Sequence, residues 1–144
     1  VNANIDYGAQ LIRHLASRAD EADQCGHPDL VLRYVLAHGR LFDRLAVEQP
    51  PRMSPNACFQ NSAAFSRTAG MTYVEGFALV AVPKLFGFHH AWCVDAEECI
   101  HELTWRTPGL AYFGVTFGDE HVSHLLSARY PEHGLIRTCE AHLT

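Results

Sequence analysis

Cys58, His90 and Glu102 are the residues whose types and spacing offer chemistry in this sequence. A thiolate is a nucleophile where a thiol is not. A helix start favours the thiolate, because its N–H groups are unsatisfied and it carries a partial positive charge. Ser54 reads as a cap and Pro55 as the first helical position, which puts Cys58 within a turn of such an end. The same N–H groups could hold an oxyanion. The plainer alternative is a small buried residue on an alanine-rich helix face.

His90 is the natural base. It sits in "HHAWCVDAEECIHELTW", residues 89–105, which reads as one β-hairpin. On a strand, His90, Trp92 and Val94 share one face, while His89, Ala91 and Cys93 share the other. A Cys–His pair needs no sequence proximity, only a sheet that carries the imidazole to the helix tip. A third group would orient the ring and stabilise its protonated form. Asp95, His101 and Glu102 are the candidates. Asp95 falls on the opposite face and suits the turn "DAEE". Between the other two, hairpin register decides. A loop at 95–97 pairs His90 with Glu102. A loop at 95–98 pairs His90 with Leu103 and brings His101 to its face. A carboxylate is the usual partner of an imidazole, and a buried one requires a partner. That favours Glu102, whose alternative is an edge-strand carboxylate in water. Glu75 in "YVEG" is the other carboxylate well inside a predicted strand. It reads as half of a structural ion pair, with catalytic support as the alternative.

These residues carry a family resemblance. Cys58, then His90-Ala91-Trp92, then Glu102-Leu103-Thr104-Trp105 resembles the transglutaminase-like superfamily of the papain-like cysteine fold. Its usual pattern is a Cys, a His-Ala-Trp and an Asp-Pro-Thr in that order. The pieces "CFQNS", "YVEGFA", "HAW", "ELTW" and "AYFGVTF" resemble a subgroup of small bacterial and phage-encoded proteins. The resemblance spans about residues 55–117. It implies that Cys58 is the nucleophile, His90 the general base and Glu102 the orienting acid. Glu in place of Asp, and Leu103 in place of proline, depart from the pattern. The extra methylene shifts the carboxylate relative to the ring.

The implied chemistry is acyl transfer. Cys58 attacks a carboxamide or thioester, His90 protonates the leaving group, and water or an amine resolves the acyl-enzyme. The substrate would be a protein, a peptide or a small-molecule amide, and no cofactor is implied. Asn61 follows Cys58 by three residues and so neighbours it on the helix surface. Asn61 and Gln60 are candidate substrate-binding residues, with exposed helix positions as the alternative. Trp92 could shield the site from water or simply fill the core.

The elements must place these groups. Leu11, Ile12, Leu15, Ala16 and Ala19 predict a first helix that "DEADQCGHPD" breaks. Pro28 predicts the start of a second helix with Val31, Tyr34 and Val35 on its apolar face, ended by Gly39. Gly70 predicts the end of the Cys58 helix. "MTYVEGFALVAV", "FGFHHAWCV", "CIHELTW" and "LAYFGVTF" predict four strands. Asp119 predicts a last helix to about Ala128, with Pro131 stopping it. Helices, then strands with short connections, then a helix imply an α+β domain: N-terminal helices, one bearing the nucleophile, on an antiparallel sheet. All 144 residues suit one domain, and the resemblance implies a papain/transglutaminase-like core.

Bulk properties exclude some functions. A net charge of −5, with no run of basic residues, argues against nucleic acid and anionic membranes as partners. No apolar stretch approaches the roughly 20 residues that span a bilayer. Five cysteines without a CxxC do not make a disulfide framework, which points to a reducing, cytoplasmic setting. Oligomeric state is silent in the sequence. Three rivals stand beside the catalytic reading. One is a zinc site drawn from His89, Cys93, Cys99, His101, Cys139 and His142, for which no set of four stands at finger spacing. Another is a Cys93–Cys99 redox pair. The third is an inactive binding module on the same scaffold.

Overall fold

The computed structural model describes residues 5–143. Helix α1 (Tyr7–Gln24) is capped by Asp6, whose carboxylate accepts from the Ala9 N–H at 2.9 Å. It buries Leu11, Leu15 and Ala19. The helix runs on through the first five residues of "DEADQCGHPD", and the expected break falls inside that segment, where the chain turns at Gly26 with φ 77. The acidic residues of "DEADQ" are adequate helix formers, so the glycine sets the end. Helix α2 (Leu30–His38) starts after Pro28, because Asp29 takes the cap and accepts from the Leu32 N–H at 3.0 Å. Gly39 ends it as expected.

Helix α3 (Cys58–Ala69) begins later than Ser54-Pro55 suggests. The Ser54 carbonyl accepts from the Asn61 side-chain amide at 2.8 Å, and Asn56 takes a left-handed conformation with φ 60. Ala57 is left at the cap position without a side-chain bond. Cys58 is therefore the first helical residue. Gly70 closes the helix in the left-handed region, as its sequence position predicted.

Five strands follow one sheet order, β1-β5-β2-β3-β4, every neighbour antiparallel. They are β1 (Arg40–Phe42), β2 (Thr72–Val80), β3 (Phe86–Val94), β4 (Ile100–His101) and β5 (Ala111–Phe117). The sheet curls into a half-barrel against the N-terminal helices, an α+β fold. Strand β1 is too short to show a period, so the sequence offers no signal for it. Strand β4 is only two residues long, where "CIHELTW" promised more. After β5 come α4 (Asp119–Leu126), α5 (Leu135–Thr138) and α6 (Glu140–Leu143). Gly118, not Asp119, caps α4, and Pro131 opens a 3₁₀ turn, Pro131–His133. Among the described residues, no helix is long and apolar enough to cross a membrane.

The two sheet faces differ. The helix-covered face packs Tyr73, Phe77, Ala91 and Phe113 against Leu11, Leu15, Phe59 and Ala63. The opposite face holds a smaller cluster of Phe42, Val74, Ala78, Trp92, Ile100 and Tyr112. Room for the Trp92 ring comes from Gly114, which pairs directly with Gly76 across β2 and β5, where a Cβ on Gly76 would lie 2.4 Å from Gly114 Cα. A Cβ on Gly114 would lie 2.8 Å from a Trp92 ring carbon and 2.8 Å from the Glu75 carbonyl oxygen. Gly114→Ala is expected to cost about 1–3 kcal/mol of unfolding free energy by overpacking. Gly118→Ala, where nothing lies within 4 Å, is the comparison, with only the smaller loss of a glycine cap on α4 expected. Urea titration reads both, and equal midpoints for the two variants would contradict this packing.

Candidate active site

The hairpin register differs from both expected alternatives. Val94 pairs with Ile100 and Cys93 with His101, so the loop spans residues 95–99. Asp95 holds it. Its carboxylate accepts from the N–H groups of Glu97 and Cys99, each at 3.0 Å, and lies 2.9 Å from His101 Nε2. Those bonds hold the Asp95 carboxyl below its usual range, the His101 bond contributing most. Two more loop residues than in the shorter alternative preserve side-chain parity. Glu102 therefore still falls on the His90 face, and His101 on the other.

Glu102 anchors the site. His90 Nε2 lies 2.8 Å from Glu102 Oε1, with the His90 side chain 1% exposed and that of Glu102 0%. Tyr112 donates its hydroxyl proton to the same oxygen at 2.9 Å. Oε2 accepts from the N–H groups of Thr104 and Trp105, both at 3.0 Å. Those two bonds fold the chain into a turn and explain why β4 stops at His101. The Glu102 N–H is itself satisfied by the Gln49 side-chain oxygen at 2.8 Å. Burial alone would raise the Glu102 pKa. The hydrogen bond from His90, the positive charge of that ring whenever it is protonated, and the two backbone N–H groups outweigh burial and hold the carboxyl below its ordinary value. An ionised Glu102 places the ring proton on Nε2 and leaves Nδ1 as a lone pair, with no protein partner among the described residues. The Trp105 ring stacks on the imidazole, centroids 3.7 Å apart and planes 15° apart.

Cys58 lies at the start of α3, half-buried and packed against the helix-side core. The backbone N–H groups of Ala91 and Phe59 lie against its sulfur and favour the anion. They do not prevail. Burial, joined by the negative charges of Glu75 and Glu102, pushes the thiol up to about 12. The expected helix-end activation is thus outweighed by desolvation, and the resting sulfur is a neutral thiol. Among the described residues no hydrogen bond joins Cys58 to His90. The two are linked through the strand, since Ala91 follows His90.

Asn61 is buried and spends its amide on structure. Its Nδ2 donates to the Ser54 carbonyl at 2.8 Å and to Thr104 Oγ1 at 3.0 Å. It thereby ties the Cys58 helix to the Glu102 turn. Gln60 lies two residues past Cys58 on α3, and its buried Oε1 has no protein partner. Trp92 is fully buried, edge-on to Phe42 and Tyr112, and its Nε1 is likewise unpartnered. Tyr112 and Gln49 carry no functional signal in the sequence. Tyr112 reaches Glu102 only through the strand order, and nothing in a loop marks Gln49. Thr104 and Trp105 are visible as part of "ELTW".

The other thiols are scattered, and all five cysteines are free. Cys93 faces His101 rather than Cys99, and its Sγ donates to the Ser62 carbonyl at 3.2 Å. Among the described residues, no group of three or more His, Cys, Asp or Glu side chains is placed to hold a metal ion; the side chain of His142 lies outside them. Three surface cavities, of about 650, 560 and 230 Å³, are lined by other residues than Cys58, His90 and Glu102. At the candidate site His90 and Glu102 are buried, and Cys58 is half-buried. The chain matches no family model, no curated protein and no solved structure.

The lowered Glu102 pKa has a sign in stability. A carboxyl whose pKa is depressed on folding stabilises the fold above its unfolded pKa, and loses that contribution as pH falls through the folded value. Glu102→Gln is expected to be less stable than wild type at neutral pH by about 1–3 kcal/mol. The gap should begin to shrink as pH falls below the ordinary glutamate value of about 4.3, and close as pH passes through the lower value of the folded carboxyl. Urea unfolding across that range measures it, and a gap independent of pH would contradict an ionised Glu102.

Proposed function

We propose that the protein is a cysteine-dependent acyl-transfer enzyme of the transglutaminase-like type, working through Cys58, His90 and Glu102. The observation that carries the reading is the buried His90–Glu102 bond of 2.8 Å on the strand that borders Cys58. An ion-pair geometry of this kind is costly to bury and fixes one tautomer of the ring. The Glu-for-Asp departure is absorbed by the turn, since Thr104 and Trp105 hold the longer side chain's second oxygen.

The mechanism follows from the resting state. The neutral Cys58 thiol gives its proton to His90 Nδ1 as sulfur attacks the carbonyl carbon of a carboxamide or thioester. Glu102 stabilises the imidazolium so formed, and the Trp105 face adds a cation–π contribution. The N–H groups of Phe59 and Ala91, already against the sulfur, are the donors nearest a developing oxyanion. His90 then protonates the leaving amine or thiol. Water or an amine takes the acyl group from Cys58. Substrate entry requires the cover over the site to open, since His90 is 1% exposed.

A second reading has an observation of its own. The raised thiol pKa and the absent Cys58–His90 bond suit an inactive binding module on the same scaffold. A generic acyl donor separates the two. With 4-nitrophenyl acetate, the enzyme reading expects one acetyl group on Cys58 by intact-mass analysis, none in Cys58→Ala, and acylation slowed about 10²–10⁴-fold in His90→Gln. Acetylation spread over the exposed nucleophiles, unchanged in both variants, would leave the binding module standing.

A further inference from the structure

Cys58 is flanked by two histidine–carboxylate pairs, not one. Its sulfur lies against the Ala91 N–H, beside the outer edge of β3. Consecutive strand residues point to opposite faces, so His90 and His89 leave that edge in opposite directions. On the helix side, His89 Nε2 lies 2.9 Å from Glu75 Oε2. The Glu75 carboxylate is 0% exposed and held as firmly as that of Glu102. It accepts from the Tyr73 hydroxyl at 2.6 Å and from the N–H groups of Leu135 and Ile136 at 2.6 and 3.3 Å. The His89 ring is wedged between Phe59, at 4.8 Å, and Phe77, at 5.5 Å. Phe59 is the residue next to the nucleophile, and Glu75 acts on the thiol ahead of Glu102.

The pairs differ in one property. The His89 side chain is 27% exposed and that of His90 is 1%. With Glu75 on Nε2, His89 Nδ1 has no protein partner among the described residues. One imidazole is thus buried, and the other reaches solvent from the same strand.

We propose that His89 is a second catalytic base, which acts on the acceptor that discharges the acyl-enzyme, with Glu75 positioning it. The inference rests on the acyl-transfer reading of Cys58. In this step the acceptor's oxygen or nitrogen bonds to the acyl carbon while its proton passes to His89 Nδ1. The C–S bond breaks, and its electron pair stays on Cys58 Sγ. The sulfur regains a proton from solvent, to which His89 releases its own. A buried His90 then serves acylation, and a solvent-reaching His89 serves deacylation.

The two half-reactions can be timed apart. With 4-nitrophenyl acetate, nitrophenolate release reports acylation, and loss of acetyl from Cys58 by intact mass reports deacylation. His89→Gln is expected to acylate at the wild-type rate but to discharge to water about 10²-fold more slowly. Hydroxylamine, a stronger nucleophile that needs less help from a base, should discharge the variant at close to the wild-type rate. Glu75→Gln, which keeps the hydrogen-bond geometry, is expected to slow discharge less than His89→Gln. Circular dichroism of both variants checks that they fold, and His89→Asn replaces His89→Gln if it does not. Unchanged water discharge, or equal slowing of acylation, water discharge and hydroxylamine discharge, would overturn the role of His89 alone. Loss of acylation in His89→Gln with its retention in His90→Gln would reverse the two roles. Wild type that forms no acetyl-Cys58 would overturn the acyl-transfer reading and this inference with it.

Discussion

The buried bond between His90 and Glu102 constrains everything around it. A carboxylate with no solvent exposure needs several donors, and Glu102 has four, from His90, Tyr112, Thr104 and Trp105. Each comes at a structural cost elsewhere. Two backbone donors end β4 after two residues. The tyrosine requires β5 to sit inside the sheet rather than at its edge. Asn61 then fastens the resulting turn to α3 through Thr104, which ties the Cys58 helix to the Glu102 turn. The removal of any one donor would leave a buried charge short of a partner, which costs more than the bond itself contributes.

Two opposing effects meet at Cys58. Its position at a helix start favours an anion, and its burial between two carboxylates disfavours one. Burial prevails, so the resting site stores no thiolate. On the proposed reading, proton transfer to His90 accompanies attack instead of preceding it. A protonated thiol is also less reactive towards stray electrophiles, and the burial of His90 acts in the same direction.

Much of this is legible in the sequence, for identifiable reasons. The shared face of His90, Trp92 and Glu102 holds even though the loop is longer than expected, because parity depends only on whether the count is even or odd. The Gly70 and Gly39 ends are readable because glycine is among the poorest residues for a helix interior. The helix starts are less so: Ser54, Pro28 and Asp119 all match start signals, yet Ala57, Asp29 and Gly118 take those places. Sequence signals name a residue able to cap, and tertiary bonds such as Asn61 to Ser54 choose among them. Glu75 reads in the sequence as half of a structural ion pair, but its partner His89 is not named there, and its donors Leu135 and Ile136 are distant along the chain.

The central claim is that Glu102 holds His90 as a neutral base with its proton on Nε2 and its Nδ1 lone pair free to meet Cys58. Long-range ¹H–¹⁵N correlation spectra of histidine-labelled protein, assigned with His90→Gln, read the tautomer directly. A protonated Nε2 and an unprotonated Nδ1 on His90 at neutral pH, lost in favour of mixed tautomers in Glu102→Ala, is the expected result. A His90 that carries its proton on Nδ1, or whose tautomer is indifferent to Glu102, would contradict it.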